Sequence, residues 1–266
     1  MTVPVYIISL ASAQHRRAFQ EAQAQRLGFE PIWQAAVGVQ DFTEEEFIQN
    51  AFCWQRPLQK TEVGCFLSHF QVWKNIAQND GPAVVLEDDV LLSEHWYQDI
   101  LTLAQTSCAD YVCLETWGKK ILGQTENVGD LKMQRLHLNS PGSAGYLLWP
   151  SGARILIERY QKNGAALADA FINDVRGWRA WQLVPANLVQ MNVAKHFGQQ
   201  APISTESLIA SKKAPTIYPS RLTFLQVKTR RVLGEIRKAF VRMAFLFRGR
   251  KVVALEALLD TKFNQH

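Results

Sequence analysis

The sequence VPVYIISL at residues 3–10 is a nearly continuous apolar run rich in branched side chains. Such a run is typical of a strand buried on both faces, as in a parallel sheet covered by helices on each side. Residues 13–27 predict a helix with Ser12 as its N-cap and Gly28 at its end, and residues 31–37 predict a second strand. This strand–helix–strand opening predicts an α/β fold.

Apolar runs and helical periodicity continue to alternate along the chain. Further strands are predicted at residues 83–86, 111–114, 146–149 and 183–189. Helices are predicted at residues 41–50, 61–76, 96–104 and 153–162, with Thr61 capping the second of them. We therefore expect an α/β fold in which helices flank a mixed, mainly parallel sheet.

Charge is distributed unevenly along the 266 residues, which are 47% hydrophobic and carry a net charge of +5. Residues 1–216 hold 18 Lys/Arg and 21 Asp/Glu, a balance of −3, and residues 217–266 hold 11 and 3, a balance of +8. The composition is that of a folded globular protein. We expect one domain at residues 1–216 and a basic amphipathic helical tail at residues 217–266.

The tail combines an apolar helical stripe with basic residues that fall largely outside it. The basic residues are Arg230, Arg231, Arg237, Lys238, Arg242, Arg248, Arg250 and Lys251. This pattern predicts that residues 221–251 lie on an anionic membrane surface. A helix that docks on the protein's own core explains the amphipathic pattern equally well.

Other features of the sequence bear on its compartment. The four cysteines form no C-x-x-C pair and are expected to be free thiols in a reducing compartment. Residues 3–10 lack a basic leader, and no apolar run approaches the ~20 residues of a membrane span. We expect a cytoplasmic protein, peripherally associated with a membrane.

Three adjacent carboxylates, Glu87, Asp88 and Asp89, directly follow the predicted strand at residues 83–86. Like charges repel, so a fold rarely gathers them without a cation. Ligands of α/β sheets bind at the carboxyl ends of strands, and carboxylate oxygens suit Mg²⁺ or Mn²⁺. The triplet therefore predicts a metal and diphosphate site, although a solvated acidic turn has the same sequence.

Several other residues are candidates for binding or proton transfer. Arg16 and Arg17, near the start of the first predicted helix, are suited to phosphate or a nucleobase, and His69 is either a packing residue or a ligand contact. Residues 142–146 (GSAGY) allow close backbone approach. A base that activates a hydroxyl needs a carboxylate or imidazole, and the candidate carboxylates are Glu115, Asp169 and Asp174.

Five of these segments occur in an order that resembles a known family. They are VYIISL at residues 5–10 with Arg16-Arg17, TEVGCFLSH at 61–69, VLEDDV at 85–90, LET at 114–116, and GSAGY at 142–146. Together they resemble glycosyltransferase family 25, the bacterial lipopolysaccharide and lipooligosaccharide glycosyltransferases. The resemblance spans roughly residues 3–210.

The resemblance implies a GT-A-type, Rossmann-like fold and a UDP-sugar donor, most often UDP-galactose. It implies a divalent ion, Mn²⁺ or Mg²⁺, held by Glu87 and Asp89, with His196 as a further candidate ligand. Contacts to the sugar nucleotide are assigned by the same resemblance to Ser9, Leu10, Arg16, Arg17, His69, Glu87 and Asp88.

The implied reaction is transfer of a hexose, with inversion, to a hydroxyl of a lipid-linked oligosaccharide at the inner face of the bacterial inner membrane. Asp169, or else Glu115 or Asp174, is the expected base. A metal-dependent phosphodiesterase or nucleotidyltransferase shares the acidic strand end but does not need the segments at 64–69 and 142–146. A nucleic-acid-binding protein that uses the basic tail is a further alternative. Because the positive charge is confined to one end of the chain and no RNA-binding motif is interleaved with it, no nucleic-acid partner is expected.

Overall fold

The computed structural model describes residues 2–106, 109–118, 120–122, 125–136, 142–199, 201–203, 218–244 and 250–256. The helices are α1 (Gln14–Leu27), α2 (Glu44–Ala51), α3 (Lys60–Ile76), α4 (Trp96–Leu103), α5 (Pro150–Asn163), α6 (Ala168–Asn173), α7 (Met191–Ala194) and α8 (Arg221–Ala244). The strands are β1 (Val5–Ser9), β2 (Pro31–Ala35), β3 (Ala83–Glu87), β4 (Val90–Leu92), β5 (Tyr111–Cys113), β6 (Lys120–Leu122), β7 (Thr125–Val128), β8 (Leu131–Arg135), β9 (Gly145–Leu148), β10 (Ala180–Val184), β11 (Leu188–Gln190) and β12 (Arg250–Val252).

A mixed central sheet of eight strands organises the described residues, in the order β2-β1-β3-β9-β5-β10-β8-β7. The strands β2, β1 and β3 are parallel neighbours, and β5 is parallel to β10. Between these groups lies β9, antiparallel to both β3 and β5, and the β7–β8 hairpin adds an antiparallel edge. Because β9 runs the other way, its beginning lies at the same sheet edge as the ends of β1, β3 and β5.

Helices cover both faces of this sheet, which confirms the predicted α/β fold. Successive side chains of β3 point to opposite faces of the sheet. Leu86 belongs to the core layer under α1 and α4, which contains Trp96. The side chain of Val85 points to the opposite layer under α3, α5 and α6, which contains Trp73 and Leu156. A strand covered on both faces is apolar at every position, which is why the inner strands read as continuous apolar runs.

Two predicted helix caps are wrong. Helix α1 has Ala13 as its N-cap without a side-chain hydrogen bond, because residues 11–12 form a turn that delays the helix and leaves Ser12 exposed. Helix α3 begins one residue earlier than predicted, after Gln59, whose side chain forms a reciprocal capping box with Glu62. Thr61 therefore lies inside the first turn of α3. The predicted end of α1 at Gly28, in a left-handed conformation, is confirmed.

The predicted strand at residues 183–189 is also wrong, because the structure has two strands there. The first, β10, ends at Val184, and the second, β11, begins at Leu188. Pro185 between them has no N–H to donate to a neighbouring strand, so the ladder stops. After this break, β11 leaves the central sheet and pairs antiparallel with β4.

The predicted tail contains one long helix, α8, and then returns to the rest of the protein. Strand β12 pairs antiparallel with β6, and the backbone around Val253 is buried and hydrogen-bonded to Thr116. The predicted domain boundary at residue 216 and Arg248 lie outside the described residues. In the described part of the chain, every helix is too short or too polar to cross a membrane.

Candidate active site

A cleft of about 460 Å³ opens where β1 and β3 end. This volume lies within the range of pockets that bind small molecules, roughly 300–1,000 Å³. Of the residues predicted to bind ligand or metal, those that line it are Ser9, Leu10, Arg16, His69, Glu87, Asp88 and Asp89. Its remaining walls come from residues 36–40 after β2, from α3, and from Gln190 and Asn192.

Asp88 lies at the centre of a polar network that joins α1 to the strand ends. Its Oδ2 accepts a 2.7 Å hydrogen bond from Ser9 Oγ, and its Oδ1 lies 3.0 Å from an Arg16 guanidinium nitrogen. The amide of Gln20 donates to the backbone carbonyl of Asp88 at 3.1 Å. Burial raises the pKa of Asp88, and the Ser9 hydrogen bond and the Arg16 charge offset part of this rise. Asp88 is therefore held in place by protein groups.

Glu87 and Asp89 lie side by side and share one donor. The Gln190 amide nitrogen lies 3.3 Å from Glu87 Oε2 and 3.4 Å from Asp89 Oδ1. Burial, with the charges of Glu87 and Asp88, raises the pKa of Asp89 to about 7. Burial also acts to raise the pKa of Glu87, but the neighbouring imidazole of His69, Ser143 and the charge of Arg16 lower it overall. Negative charge thus accumulates here with little compensation.

This pair fits the predicted metal. Carboxylate oxygens are the ligands that Mn²⁺ and Mg²⁺ prefer, and a divalent cation would offset the repulsion that raises the pKa of Asp89. The predicted further ligand, His196, lies exposed in the short 3₁₀ helix Lys195–Phe197 and does not line the cleft.

His69 is held by a buried chain of polar side chains. Its Nδ1 lies 2.9 Å from the Tyr146 hydroxyl, which also accepts a 2.8 Å hydrogen bond from Trp73 Nε1. The side chain is only 1% exposed, and its Nε2 points towards Glu87. His69 is therefore packed against the core, with its Nε2 directed at Glu87 in the cleft. Its contact with a ligand stays a prediction.

Glu115 follows β5 and lies completely buried beside the segment that precedes β9. Its Oε1 accepts from the Ala144 backbone nitrogen at 2.8 Å and its Oε2 from Trp117 Nε1 at 3.0 Å. Burial and the charge of Glu87 raise its pKa well above the usual value. Gly142, at φ +63°, leaves no room for a β-carbon, which would lie 2.5 Å from Glu115 Oε1. The predicted close backbone approach in GSAGY is thus a contact with this carboxyl group.

The other two candidate bases, Asp169 and Asp174, are, like Glu115, not among the residues that line the Glu87–Asp89 cleft. Asp169 is in the first turn of α6, where its Oδ1 accepts from the Ala170 backbone nitrogen at 2.6 Å. Its charge acts on the thiol of Cys65, which lines the cleft. Asp174 instead lines a second cleft beside α8 and pairs with Arg159 and Arg237. The structure does not bring Asp174 to the Glu87–Asp89 cleft.

Arg17 also lies away from the cleft lining. Its guanidinium carbon sits 4.7 Å from the centre of the Trp33 ring on β2, a cation–π contact. Consecutive helical residues point about 100° apart, so only Arg16 of the pair faces Asp88. The structure therefore separates the two arginines that the sequence places together.

The predicted site residues did not include Gln190 and Cys65, which line the cleft, or Ser143, which contacts Glu87. The side chain of Ser143 donates to Glu87 Oε1 at 3.1 Å. Gln190 reaches the carboxylates because β11 pairs with β4 in a register that sets Gln190 opposite Val90. Such long-range pairing leaves no local pattern in the sequence. Cys65, in contrast, lies four residues before His69 on α3, and this helical spacing predicts that the two side chains share one face of the helix.

The fold and the cleft define the general class of this molecule. It is an α/β protein with an acidic cleft at the edge of its sheet where β1 and β3 end, and ligands of α/β proteins bind at the carboxyl ends of strands. A family described as glycosyltransferase family 25 (LPS biosynthesis protein) matches residues 2–172, more than half of the chain. The chain belongs to glycosyltransferase family 25, as its sequence motifs predicted, and it is a transferase.

Individual relatives are bacterial and animal proteins. The lipooligosaccharide biosynthesis protein lic2B of Haemophilus influenzae is 25% identical, over 89% of this chain and 96% of the relative. The lacto-N-neotetraose biosynthesis glycosyltransferase LgtE of Neisseria meningitidis serogroup B is 26% identical, over 76% of this chain and 79% of the relative. Procollagen galactosyltransferase 2 of Mus musculus is 39% identical, over 19% of this chain and only 8% of the relative.

The structure is also similar to a solved structure, that of a glycosyltransferase involved in glycosylation of the major capsid of PBCV-1. The similarity covers 75% of this chain and 100% of the chain in that structure. That structure has 9% sequence identity to this chain and a TM-score of 0.43.

Proposed function

We propose that this protein transfers a hexose, galactose in the first instance, from a UDP-sugar to a hydroxyl of a lipooligosaccharide or lipopolysaccharide core acceptor, with inversion at the anomeric carbon. The observation that carries the proposal is the position of Glu87, Asp88 and Asp89 in the main cleft, at the carboxyl end of β3. Membership of the family favours sugar transfer over the phosphodiesterase alternative. The names of lic2B and LgtE support the acceptor class.

The donor's nucleotide would lie along the ends of β1 and β3. Arg16 provides a positive charge in the cleft, fixed in position by Asp88. The backbone of Ser9 and Leu10 and the chain after β2 form one wall, to which a nucleoside can bind. A divalent ion held by Glu87 and Asp89 would stabilise the negative charge that develops on the departing UDP.

The acceptor hydroxyl needs a base, and the three candidate carboxylates differ in their burial and in their position relative to the cleft. Both oxygens of Glu115 are held by buried donors, and Asp174 faces another cleft and is paired with two arginines. Asp169 is partly exposed and its charge reaches Cys65 in the cleft. We therefore favour Asp169: the hydroxyl oxygen bonds to the anomeric carbon as the bond to UDP breaks, and Asp169 takes the hydroxyl proton.

The exposed face of α8 supports a second part of the proposal, that the enzyme works against an anionic membrane. We name this face the outer apolar stripe, and it consists of Leu222, Leu225, Val232, Leu233, Ile236, Phe240 and Met243. Each of these side chains is at least 47% exposed, and the same helix carries the exposed cations Lys228 and Arg231. A helix that exposes both an apolar stripe and cations is complementary to an anionic lipid surface, where a lipid-linked acceptor resides.

The opposite face of α8 docks on the protein, which corrects part of the predicted lipid contact. Val227 is buried, Arg230 donates to the Phe52 carbonyl, and Arg237 pairs with Asp174. Arg230 and Arg237 are therefore engaged by the protein and not directed at lipid. One face of α8 therefore fits the interpretation of a docked helix, and the outer apolar stripe supports the proposed contact with lipid.

A direct test combines donor binding with transfer. Thermal-shift screening of UDP-sugars with Mn²⁺ is expected to single out one donor, and UDP release should then require both a sugar acceptor and the metal. Asp89→Asn should reduce transfer by about 100-fold or more while leaving the circular dichroism spectrum unchanged. Asp80→Asn, at an exposed turn before β3, is the matched control. Full transfer by Asp89→Asn, or in excess EDTA, would refute the metal's role.

A further inference from the structure

The two oxygens of Glu87 face different groups. Its Oε2 faces Gln190 and Asp89, the carboxylate side of the cleft. Its Oε1 faces His69, with Nε2 at 3.5 Å. A carboxylate that presents one oxygen to each of two groups can take part in two separate binding sites.

On the Oε1 side, Glu87 meets one face of α3. Cys65 and His69 are four residues apart, so they lie one helical turn apart on the same face. One ligand atom from each of Cys65, His69 and Glu87 lies within 4.8 Å of the other two, a separation at which a single ion can contact all three after small side-chain movements. Two tetrahedral ligands at about 2.0 Å from a zinc ion are roughly 3.3 Å apart, close to the 3.5 Å between His69 Nε2 and Glu87 Oε1.

The orphaned nitrogen of His69 is independent evidence for a ligand. Nε2 is buried and has no hydrogen-bond partner among the described residues. If it carries a proton, 3.5 Å to Glu87 Oε1 is beyond normal hydrogen-bond length, and if it carries a lone pair, it faces a negative oxygen. A cation between the two atoms would give Nε2 a partner and would add a second contact to Oε1, which also accepts from Ser143.

The ring's other nitrogen is already arranged as it is in metal-binding histidines. Such residues usually donate their second N–H to a fixed acceptor, which orients the ring. Nδ1 lies 2.9 Å from the Tyr146 hydroxyl, and Trp73 fixes that hydroxyl from the other side. When Nδ1 carries the proton, the lone pair of Nε2 points at Glu87.

We propose that Cys65, His69 and Glu87 form a binding site for a borderline-soft divalent ion such as Zn²⁺, separate from the carboxylate pair of Glu87 and Asp89. A thiolate, an imidazole and one carboxylate favour Zn²⁺ or Co²⁺ over Mg²⁺ or Mn²⁺. Cys65 and Glu87 both line the main cleft, so a fourth coordination position faces solvent or ligand. Because Glu87 belongs to both groups, Zn²⁺ bound here competes with the ion that we propose for transfer.

Cobalt provides a spectroscopic test that needs no sugar nucleotide. Titration of the full-length protein with Co²⁺ should produce a thiolate-to-cobalt charge-transfer band that saturates at one ion per chain and disappears when Zn²⁺ is added. Cys65→Ser and Cys65→Ala should remove the band and weaken Co²⁺ binding at least ten-fold, with an unchanged circular dichroism spectrum. Cys53→Ser, at a free thiol in the cleft beside α8, should keep the band. A missing band in the unaltered protein, or a persistent band in both Cys65 variants, overturns the proposal.

A second variant separates this site from the proposed transfer site. Asp89→Asn should retain the cobalt–thiolate band but lose the thermal shift given by Mn²⁺ with a UDP-sugar. Loss of the band in Asp89→Asn would show that the two sites are one and would overturn the proposal. Failure of every UDP-sugar to bind would instead count against the proposed function and leave the cobalt result intact.

Discussion

Ser9 Oγ donates a 2.7 Å hydrogen bond to Asp88 Oδ2 and so joins the end of β1 to the residue that follows β3. Both side chains are buried, and these two strands are parallel neighbours in which Ile8 lies opposite Glu87. The bond therefore fixes the middle residue of the acidic triplet. With Asp88 turned towards Ser9 and Arg16, Glu87 and Asp89 are left to face each other across Gln190.

Ser9→Ala should destabilise the protein because it removes a donor from a buried carboxyl group. We expect the free energy of unfolding to fall by about 1–3 kcal/mol, measured by urea denaturation followed by tryptophan fluorescence. Ser12→Ala is the control, since Ser12 lines the same cleft but is exposed, and its effect should stay within about 0.5 kcal/mol. Equal effects of the two substitutions would show that the Ser9–Asp88 bond contributes nothing to stability.

Gly142→Ala should lower the free energy of unfolding by more than Gly177→Ala does. Both glycines have positive φ, so each alanine pays about 1–2 kcal/mol for a left-handed backbone. The new β-carbon at position 142 would also meet the Glu115 carboxyl group at 2.5 Å, whereas Gly177 has open space around it. We expect the overpacking at position 142 to add about 1–3 kcal/mol, measured by thermal or urea unfolding.

The outcome tests the contact between residues 142–144 and Glu115 and not glycine's flexibility in general. If Gly142→Ala and Gly177→Ala destabilise equally, the segment before β9 does not pack against the buried carboxyl group as described. A larger loss at position 142 accompanied by weaker donor binding would further indicate that Glu115 positions Ser143 against Glu87.

Local sequence patterns were sufficient to predict the inner strands and the helices that cover them. The two layers of core on either side of β3 force each residue of the strand to be apolar, and this leaves a clear run in the sequence. The β7–β8 hairpin was not predicted, because β7 has the polar sequence TENV and forms the sheet edge. The break at Pro185 was missed because the residues around it are apolar enough to extend the predicted strand.

The candidate site was predictable where its residues are adjacent in sequence and not where they meet through long-range pairing. The acidic triplet and Arg16 were found because strand ends and helix starts have local signatures. Asp174 was proposed because it follows an apolar stretch, yet Arg159 of α5 and Arg237 of α8 hold it in another cleft. Only the register of β11 against β4 brings Gln190 to the carboxylates.

Asp110 should make stability depend on pH at the opposite sheet edge, where β5 begins. Its carboxylate accepts hydrogen bonds from Ser151 Oγ at 2.6 Å and from the Arg179 backbone nitrogen at 2.8 Å, and it pairs with the Arg179 guanidinium. Burial acts to raise the pKa of Asp110, but the bonds from Arg179 and Ser151 lower it below 3.8. Asp110→Asn should therefore cost about 1.5–3 kcal/mol at pH 7.

The sign of this pH dependence follows from the lowered pKa. The folded state holds the proton of Asp110 less tightly than the unfolded state, so the stabilisation is present above pH 3.8 and is lost as the pH falls through the folded-state pKa. Urea unfolding should be measured from pH 7 to pH 3. The difference in the free energy of unfolding between the unaltered protein and Asp110→Asn should narrow only at the acidic end. A constant difference over this range would contradict the lowered pKa of Asp110. The control, Asp80→Asn, should have the same free energy of unfolding as the unaltered protein.

Charges placed in the outer apolar stripe of α8 should release the protein from anionic membranes. Leu225 and Phe240 are 58% and 62% exposed, so Leu225→Asp and Phe240→Asp remove apolar area available to lipid without disturbing the core. Each exposed side chain that enters the interface contributes about 1.5–3 kcal/mol at full burial, and an added negative charge is also repelled by anionic lipid. We expect the double variant to lose at least ten-fold in binding to phosphatidylserine-containing liposomes, measured by flotation.

Gln78→Asp adds one negative charge, where the double variant adds two, at an exposed position just after α3, and it should bind the liposomes as the unaltered protein does. Raising the salt concentration should weaken binding only partly, because the cations Lys228 and Arg231 are screened while apolar insertion is not. If the double variant floats as well as the Gln78→Asp control, the outer apolar stripe does not contact lipid. Transfer to a short, soluble acceptor should be unchanged in the double variant, since the donor cleft is built from β1, β3 and α3 and not from α8.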